Sequence, residues 1–372
     1  MRTIFLVTAI FVSAVASAKA QLPFAPISPR PDYVVTMAER PFAFDVERRV
    51  TNHGDWTRVD RIGNGYRWLH YYFANGTVAV SDGGSASSRF FSRGGADLSR
   101  RNRRPRSTGE QQTHLGETCT VWEVSRFGAP RGPGPFDLSC VTDDGIELWQ
   151  RSIYDGRIFS FANSTRVERR PVTVDEVKPP RTLLTLDWWD RIAPTEASAI
   201  SGYEIVLELS SQSVSAGNSI RTTRQRGPWQ SMEETVSGVR RRLEIAHNSD
   251  WMSFEHVWGE SGAPERLTIT QPASATEDTA TSRTMWIEME RSETILGETC
   301  RWFYLMTNGV SGRSRCLTND RVVLKDRREW RTIEERDVVQ EWIAVRITRR
   351  PVNLDEIKPP AELLDPRVWG IE

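Results

Sequence analysis

The stretch Arg169–Leu184 reads RRPVTVDEVKPPRTLL, and Arg349–Leu364 reads RRPVNLDEIKPPAELL. Eleven of these sixteen positions are identical, and no other feature constrains the fold as strongly. The likeness extends upstream. LGETC occurs at Leu115–Cys119 and again at Leu296–Cys300, and a second cysteine follows each, in SCVTDDG (Cys140) and SRCLTND (Cys316). The offsets, 181 for the first motif and 180 for the last, keep the register almost constant. Further back, DYVVTMAE from Asp32 resembles GYEIVLEL from Gly202, and HGDWTRVD from His53 resembles RGPWQSME from Arg226. This order predicts one domain present twice in tandem, each copy long enough for its own core. The expected boundaries are a leader at 1–20, a first repeat at 21–190 and a second at 191–372, with a linker near 185–201.

Turn dipeptides come often: Asn64-Gly65, Asn75-Gly76, Asp82-Gly83, Asp144-Gly145, Asp155-Gly156 and Asn308-Gly309. They tolerate positive φ and favour two-residue hairpins. Between them apolar and polar residues alternate. In YEIVLEL, Tyr203, Ile205, Leu207 and Leu209 fall on one face, with Glu204 and Glu208 on the other. In WIAVRITR, Ile343, Val345 and Ile347 alternate with Trp342, Ala344, Arg346 and Thr348. A period of two marks strands. The chain is therefore expected to be mainly β: two copies of a strongly curved antiparallel half-barrel sheet. A short closing helix is expected after each KPP, in PPRTLLTLDWWDRIA and PPAELLDPRVWG. The Arg-Arg-Pro-Val segment reads as an edge strand leaving the sheet, because Pro lacks the donor an interior strand needs.

The first residues, MRTIFLVTAIFVSAVASAKA, have a basic start, an apolar run from Ile4 to Val15 and an A-x-A arrangement at Ala18 and Ala20. That pattern is a secretory signal peptide. The alternative is a membrane anchor, but the apolar run falls short of the about 20 residues that span a bilayer. The whole chain carries 49 basic and 49 acidic side chains; removing the leader takes Arg2 and Lys19 and leaves 47 − 49 = −2. A general nucleic-acid binder would be basic, so no nucleic-acid partner is expected. No later stretch is apolar enough to be a transmembrane segment.

Four cysteines allow three pairings. The duplication favours Cys119 with Cys140 and Cys300 with Cys316, as structural disulfides in an exported protein. The alternative, a metal site, needs closer spacing and histidine partners. His114 alone of the five histidines (His53, His70, His114, His247, His256) stands near a cysteine.

No H-E-x-x-H, G-x-S-x-G or P-loop occurs, so no enzyme, cofactor or metal is expected. Asp175-Glu176 and Asp355-Glu356 are the only repeated carboxylate pair; adjacent residues on a strand point to opposite faces, which suits structure better than acid/base chemistry. The run Arg100, Arg101, Arg103, Arg104 and Arg106 has no counterpart in the second copy. It is either a solvated loop or an anionic-surface contact, where each cation adds about 1 kcal/mol. On the first strand of each copy, Tyr33, Val35 and Met37, and Tyr203, Ile205 and Leu207, share a face. They are either ordinary core or the lining of an apolar groove, for which Met and Tyr are apt.

The alternation of YEIVLEL, the Trp segments DWTRVD and PWQSME, the cysteine-bracketed hairpin and the exits VKPPRTLL and IKPPAELL together resemble the periplasmic lipoprotein-carrier (LolA/LolB-like) superfamily of Gram-negative bacteria. The resemblance implies a periplasmic address, a curved antiparallel sheet around helices and an apolar cavity for acyl chains. Two function classes follow. One is a periplasmic protein binding an apolar or lipid-like ligand, in lipoprotein or lipid handling. The other is an interaction or envelope-sensing module whose partner is an envelope protein. Oligomeric state is not written in the sequence.

Overall fold

Alternating apolar and polar residues punctuated by Gly-containing turns do fold as strands, in two compact units. The structure, a computed structural model, describes residues 31–41, 44–73, 76–83, 86–93, 105–125, 136–186, 189, 202–211, 218–247, 252–272, 285–307, 310–331 and 337–371. Unit 1 comprises Met1–Leu184 with Trp369–Glu372, and unit 2 comprises Thr185–Val368. The leader and Arg100, Arg101, Arg103 and Arg104 lie outside the described residues.

In unit 1 the strands are β1 (Tyr33–Pro41), β2 (Val46–His53), β3 (Trp56–Gly63), β4 (Tyr66–Phe73), β5 (Gly76–Gly83), β6 (Ala86–Arg93), β7 (Pro105–His114), β8 (Glu117–Ser125), β9 (Phe136–Val141), β10 (Glu147–Tyr154) and β11 (Arg157–Glu168). Every described pairing in it is antiparallel. β1 sits in the middle, with β2 to β6 following on one side and β11 back to β7 on the other. The sheet does not close on itself, since β6 and β7, consecutive in the chain, stand at opposite ends of this order.

Unit 2 has β12 (Gly202–Ser211), β13 (Ser219–Arg226), β14 (Trp229–Val236), β15 (Val239–His247), β16 (Ser253–Trp258), β17 (Pro264–Pro272), β18 (Met285–Ile295), β19 (Glu298–Thr307), β20 (Val310–Leu317), β21 (Val323–Arg331) and β22 (Asp337–Arg349). The order repeats: β12 is central, β13 to β17 lie to one side, and β22 back to β18 to the other. The strand paired with each central strand carries a bulge at the same place, Thr165 on β11 opposite Thr36 and Met37 and Val345 on β22 opposite Val206 and Leu207.

The shared motifs meet in space and explain one another. LGETC is a hairpin turn, with Leu115 and Gly116 at φ +54° and +78°, and Leu296 and Gly297 at +52° and +78°. Its glutamate receives the first arginine of RRPV. Arg169 forks onto Glu117 (Nη2–Oε2 2.6 Å) and reaches Asp144 (Nε–Oδ2 3.0 Å). Arg349 does the same with Glu298 (2.5 and 2.7 Å) and Asp320 (3.2 Å). Asp144 and Asp320 belong to the T-x-D turns, whose Thr142 and Thr318 hydroxyls accept from the Ile146 and Val322 N–H groups at 2.9 Å.

The expected closing helices are replaced by shorter pieces. One turn of helix, α1 (Val174–Val177), forms earlier than expected, at the Asp-Glu pair, and 3-10 turns follow at Arg181–Leu184, Leu354–Glu356, Ala361–Leu364 and Pro366–Trp369. The cause is capping: the Thr173 N–H donates to Glu176 (3.0 Å) and the Asn353 N–H to Glu356 (2.8 Å), the third-residue carboxylate of a capping box. The second arginine of each motif, Arg170 or Arg350, pairs with that same glutamate at 2.6 or 2.5 Å. RRPV is thus an exit segment clamped by its own carboxylates rather than an edge strand.

The exit segment covers one face of each sheet, called here the motif face. In unit 1, Val172 and Val177 pack on Val34 and Trp56. In unit 2, Trp189 meets Trp229 edge-on at 4.6 Å, while Trp369 packs against Phe91 in unit 1 at 5.9 Å. The opposite face of β1 and β12, the core face, carries Tyr33, Val35 and Met37, and Tyr203, Ile205 and Leu207.

Candidate functional site

The two apolar triplets are occupied by packing. Tyr33, Val35 and Met37 join Ile146, Leu148, Ala162 and the Cys119–Cys140 disulfide in one cluster, Val35 and Met37 each 1% exposed. Ile205 and Leu207, with half-buried Tyr203 against them, join Val322, Leu324, Trp302, Trp342 and the Cys300–Cys316 disulfide. Arg106 is exposed on β7. Two disulfides suit a chain that folds in an oxidising compartment. Among the described residues no helix is long and apolar enough to cross a membrane.

What the alternation did not announce is the row beside the triplets. Residues directly opposite in an antiparallel ladder share a face. Met37 lies opposite Arg48, which lies opposite Arg61. The Arg48 guanidinium, 1% exposed, reaches Glu147 (3.1 Å), Glu39 (3.9 Å) and Gln150 (3.4 Å), with the Met37 sulfur 2.6 Å from its Nη2. Arg61 donates to Glu39 at 2.9 Å. Burial works against the Glu39 charge, but Arg61 and Arg48 outweigh it and hold its carboxyl below the usual range. Burial prevails at Glu147, whose carboxyl is pushed up despite Arg48 and the Ser139 hydroxyl. His70, on the same face, is driven down to about 3, first by burial and then by Arg61. These groups neutralise one another inside unit 1.

Unit 2 has the same row with other residues. Leu207 stands where Met37 does, opposite Arg221, which lies opposite Glu234. Along the other half of the core face, Leu209–Trp342–Asp326–Arg315 form one line and Gln340–Arg328–Arg313 the next. The unit 1 lines at those places are Glu39–Ala162–Gln150–Ser139 and Ser160–Ser152–Asp137. Arg313, Arg315 and Arg328 therefore hold the places of Asp137, Ser139 and Ser152. Asp326 is the anchor: Arg313 grips it with two bonds (2.9 and 2.5 Å), and Arg315 and Arg221 approach at 3.4 and 3.7 Å. Arg221 also lies over the Trp342 ring at 4.0 Å and pairs with Glu234 at 3.3 Å. Burial lowers Arg315 to about 10 against the pull of Asp326, with Arg313, Arg328 and Arg221 adding to the fall.

A cavity of about 500 Å³ lies on the motif face of unit 1, lined by Arg58, Tyr71, Asp175, Lys178, Pro179, Pro180 and Arg181. It is the space under the repeated Lys-Pro-Pro. Arg58 spends its charge on Asp60 (2.8 Å) and reaches the Glu176 carbonyl (3.4 Å), as Ser231 in unit 2 reaches the Glu356 carbonyl (2.9 Å). Of the two acidic pairs, Glu176 and Glu356 thus cap and clamp the exit segment, and Asp175 lines the cavity. Among the described residues no group of three or more His, Cys, Asp or Glu is placed to hold a metal.

No protein-family model matches the chain, and no curated protein matches it either. Solved structures similar to it include MucB, at 9% identity and a TM-score of 0.30 over 70% of this chain and 93% of that one. They also include the Pseudomonas aeruginosa MucA/MucB complex, at 10% identity and 0.30 over 66% and 89%. A third is a putative outer membrane lipoprotein-sorting protein domain from Vibrio parahaemolyticus, at 6% identity and 0.23 over 50% and 94%.

Proposed function

We propose that the protein is an exported binding protein of the cell envelope, built from two copies of one curved-sheet domain, and that it works as an interaction module whose sheet faces engage charged rather than apolar groups. The observation that supports this is the filling of the core face. Of the triplets that would line an acyl-chain groove, Tyr33, Val35, Met37, Ile205 and Leu207 are buried among the chain's own side chains and Tyr203 is half-buried, and the rows next to them hold arginines and carboxylates. An apolar-ligand site needs a concave, mostly apolar lining with few polar groups.

The test is uptake of a fluorescent fatty acid by protein stripped of bound lipid, read beside the Val35→Asp variant. Val35 is the cleaner position, because an aspartate at Met37 would meet Arg48. The expected result is no uptake by the wild type and a loss of several kcal/mol of stability in the variant, from a buried carboxylate without a partner. Uptake by the wild type, abolished in a variant of near-normal Tm, would replace this reading with apolar cargo binding.

A further inference from the structure

Four guanidiniums converge on the core face of unit 2, from Arg221, Arg313, Arg315 and Arg328. Among the described residues two carboxylates, Asp326 and Glu234, stand among them, and both are engaged. The neighbouring Arg242 is excluded from the count because Glu244 (2.9 Å) and Glu255 (3.0 Å) neutralise it. Arg328 has no ion-pair partner among the described residues and faces Arg313 directly across the ladder. Like charges placed directly opposite on a sheet destabilise it. The Nε groups of Arg221 and Arg328 and the indole Nε1 of Trp342 are buried donors with no hydrogen-bond partner among the described residues, while the Arg315 Nε faces Asp326 at 3.4 Å. A buried donor left unpaired costs more than the bond would have gained.

We infer that this cluster is a binding site for a phosphate group, either the free ion or a phosphate monoester. The excess of two positive charges matches a dianion, and planar guanidiniums offer the paired N–H groups that tetrahedral oxyanions accept. Asp326 holds Arg313 and stands 3.4 and 3.7 Å from Arg315 and Arg221, so three of the four guanidiniums are tethered before the anion arrives. Unit 1 supplies an internal contrast: with Asp137, Ser139 and Ser152 at the equivalent places and Glu39 and Glu147 beside Arg48, it has no excess of positive charge to offer. The site is therefore a property of unit 2 alone. This rests on the reading of the core face as a binding face, but it is measured on purified protein and stands or falls apart from any envelope partner.

The experiment is calorimetric titration of the whole protein with inorganic phosphate and, separately, with glycerol 3-phosphate. The variants are Arg315→Ser, Arg328→Ser and, as a control on exposed Arg157 in unit 1, Arg157→Ser. Serine is chosen because unit 1 carries serine at both places and folds with it. Binding of one phosphate per chain is expected, weakened about tenfold or more in each site variant, as loss of a charge-assisted bond implies, and unchanged in the control. Arg328→Ser should also raise the Tm in phosphate-free buffer, which a purely structural arginine would not do. Tighter binding of the ester would assign an organic phosphate as the ligand, and equal binding the ion itself. No binding of either probe by the wild type, or site variants that bind as the wild type does, would overturn the inference.

Discussion

Arg48→Met is the sharpest test of the unit 1 row. The side chain is 1% exposed and its guanidinium stands 3.1 Å from Glu147, while Glu39 keeps its bond from Arg61 at 2.9 Å. Methionine replaces the stem but leaves Glu147 without its cation. Breaking a buried pair from one side costs about 3–5 kcal/mol, far more than the pair itself contributes, because the orphaned charge keeps its desolvation penalty. Adding Glu147→Gln removes that charge and should return about 1–3 kcal/mol. The sign of the pH dependence follows. Burial already holds the Glu147 carboxyl above its ordinary value, and loss of Arg48 raises it further. The folded variant then binds a proton more readily than the unfolded chain, so its deficit relative to wild type shrinks as pH falls through that raised pKa. Urea unfolding at several pH values, with hydrogen exchange of β1 and β2 to isolate unit 1, measures all three quantities. A single-variant cost below about 1 kcal/mol, the range of an exposed pair, or no recovery in the double variant, would refute the argument.

Non-reducing peptide mapping should recover only Cys119–Cys140 and Cys300–Cys316; replacing either pair by serine should cost about 3 kcal/mol, slightly more for the first because it closes 21 residues rather than 16. Wild-type stability should fall as pH drops below about 6.5. His70 and His256 are held down to about 3 and about 4, chiefly by burial, so the unfolded chain takes protons the folded one refuses; urea midpoints that stay flat between neutral pH and about 5 would contradict this. Glu117→Gln and Glu298→Gln should lower stability by similar small amounts, about 1 kcal/mol or less because the arginine partners are half exposed, and unequal losses would show that the two motif networks do different work.

Much of the scaffold was legible because its signals are local or repeated. Strand alternation fixed which face Val35 and Ile205 take, and constant offsets between motifs made the cysteine pairing the economical one. T-V-D-E and N-L-D-E carry the capping-box spacing of a helix start, but the flanking prolines carry an equally local signal for extended backbone, so the sequence alone does not decide between them. The charged rows were half visible. In VERRV, Arg48 falls in phase with Val46 and Val50, and in LKDRR, Asp326 and Arg328 fall in phase with Leu324. A charge in the buried phase signals a partner. Its identity is not local, since Glu147 and Gln150 lie 99 and 102 residues from Arg48.

The two units keep one set of residues and exchange another, and the division follows the physics. LGETC, T-x-D, RRPV and DE form a closed circuit of bonds: Arg169 to Glu117 and Asp144, Arg170 to Glu176, and Arg349 to Glu298 and Asp320, Arg350 to Glu356. Changing any one member strands its partner, so the members persist together. The core-face rows are held differently. The ladder fixes where Ser139 or Arg315 stands, and the apolar triplet beside it supplies the packing. A side chain there can change charge without loss of register. Asp137 against Arg313 and Ser152 against Arg328 are that freedom in use. One scaffold thus carries a charge-balanced face in unit 1 and an arginine-rich one in unit 2, the difference made by a few side chains on strands whose register is the same in both.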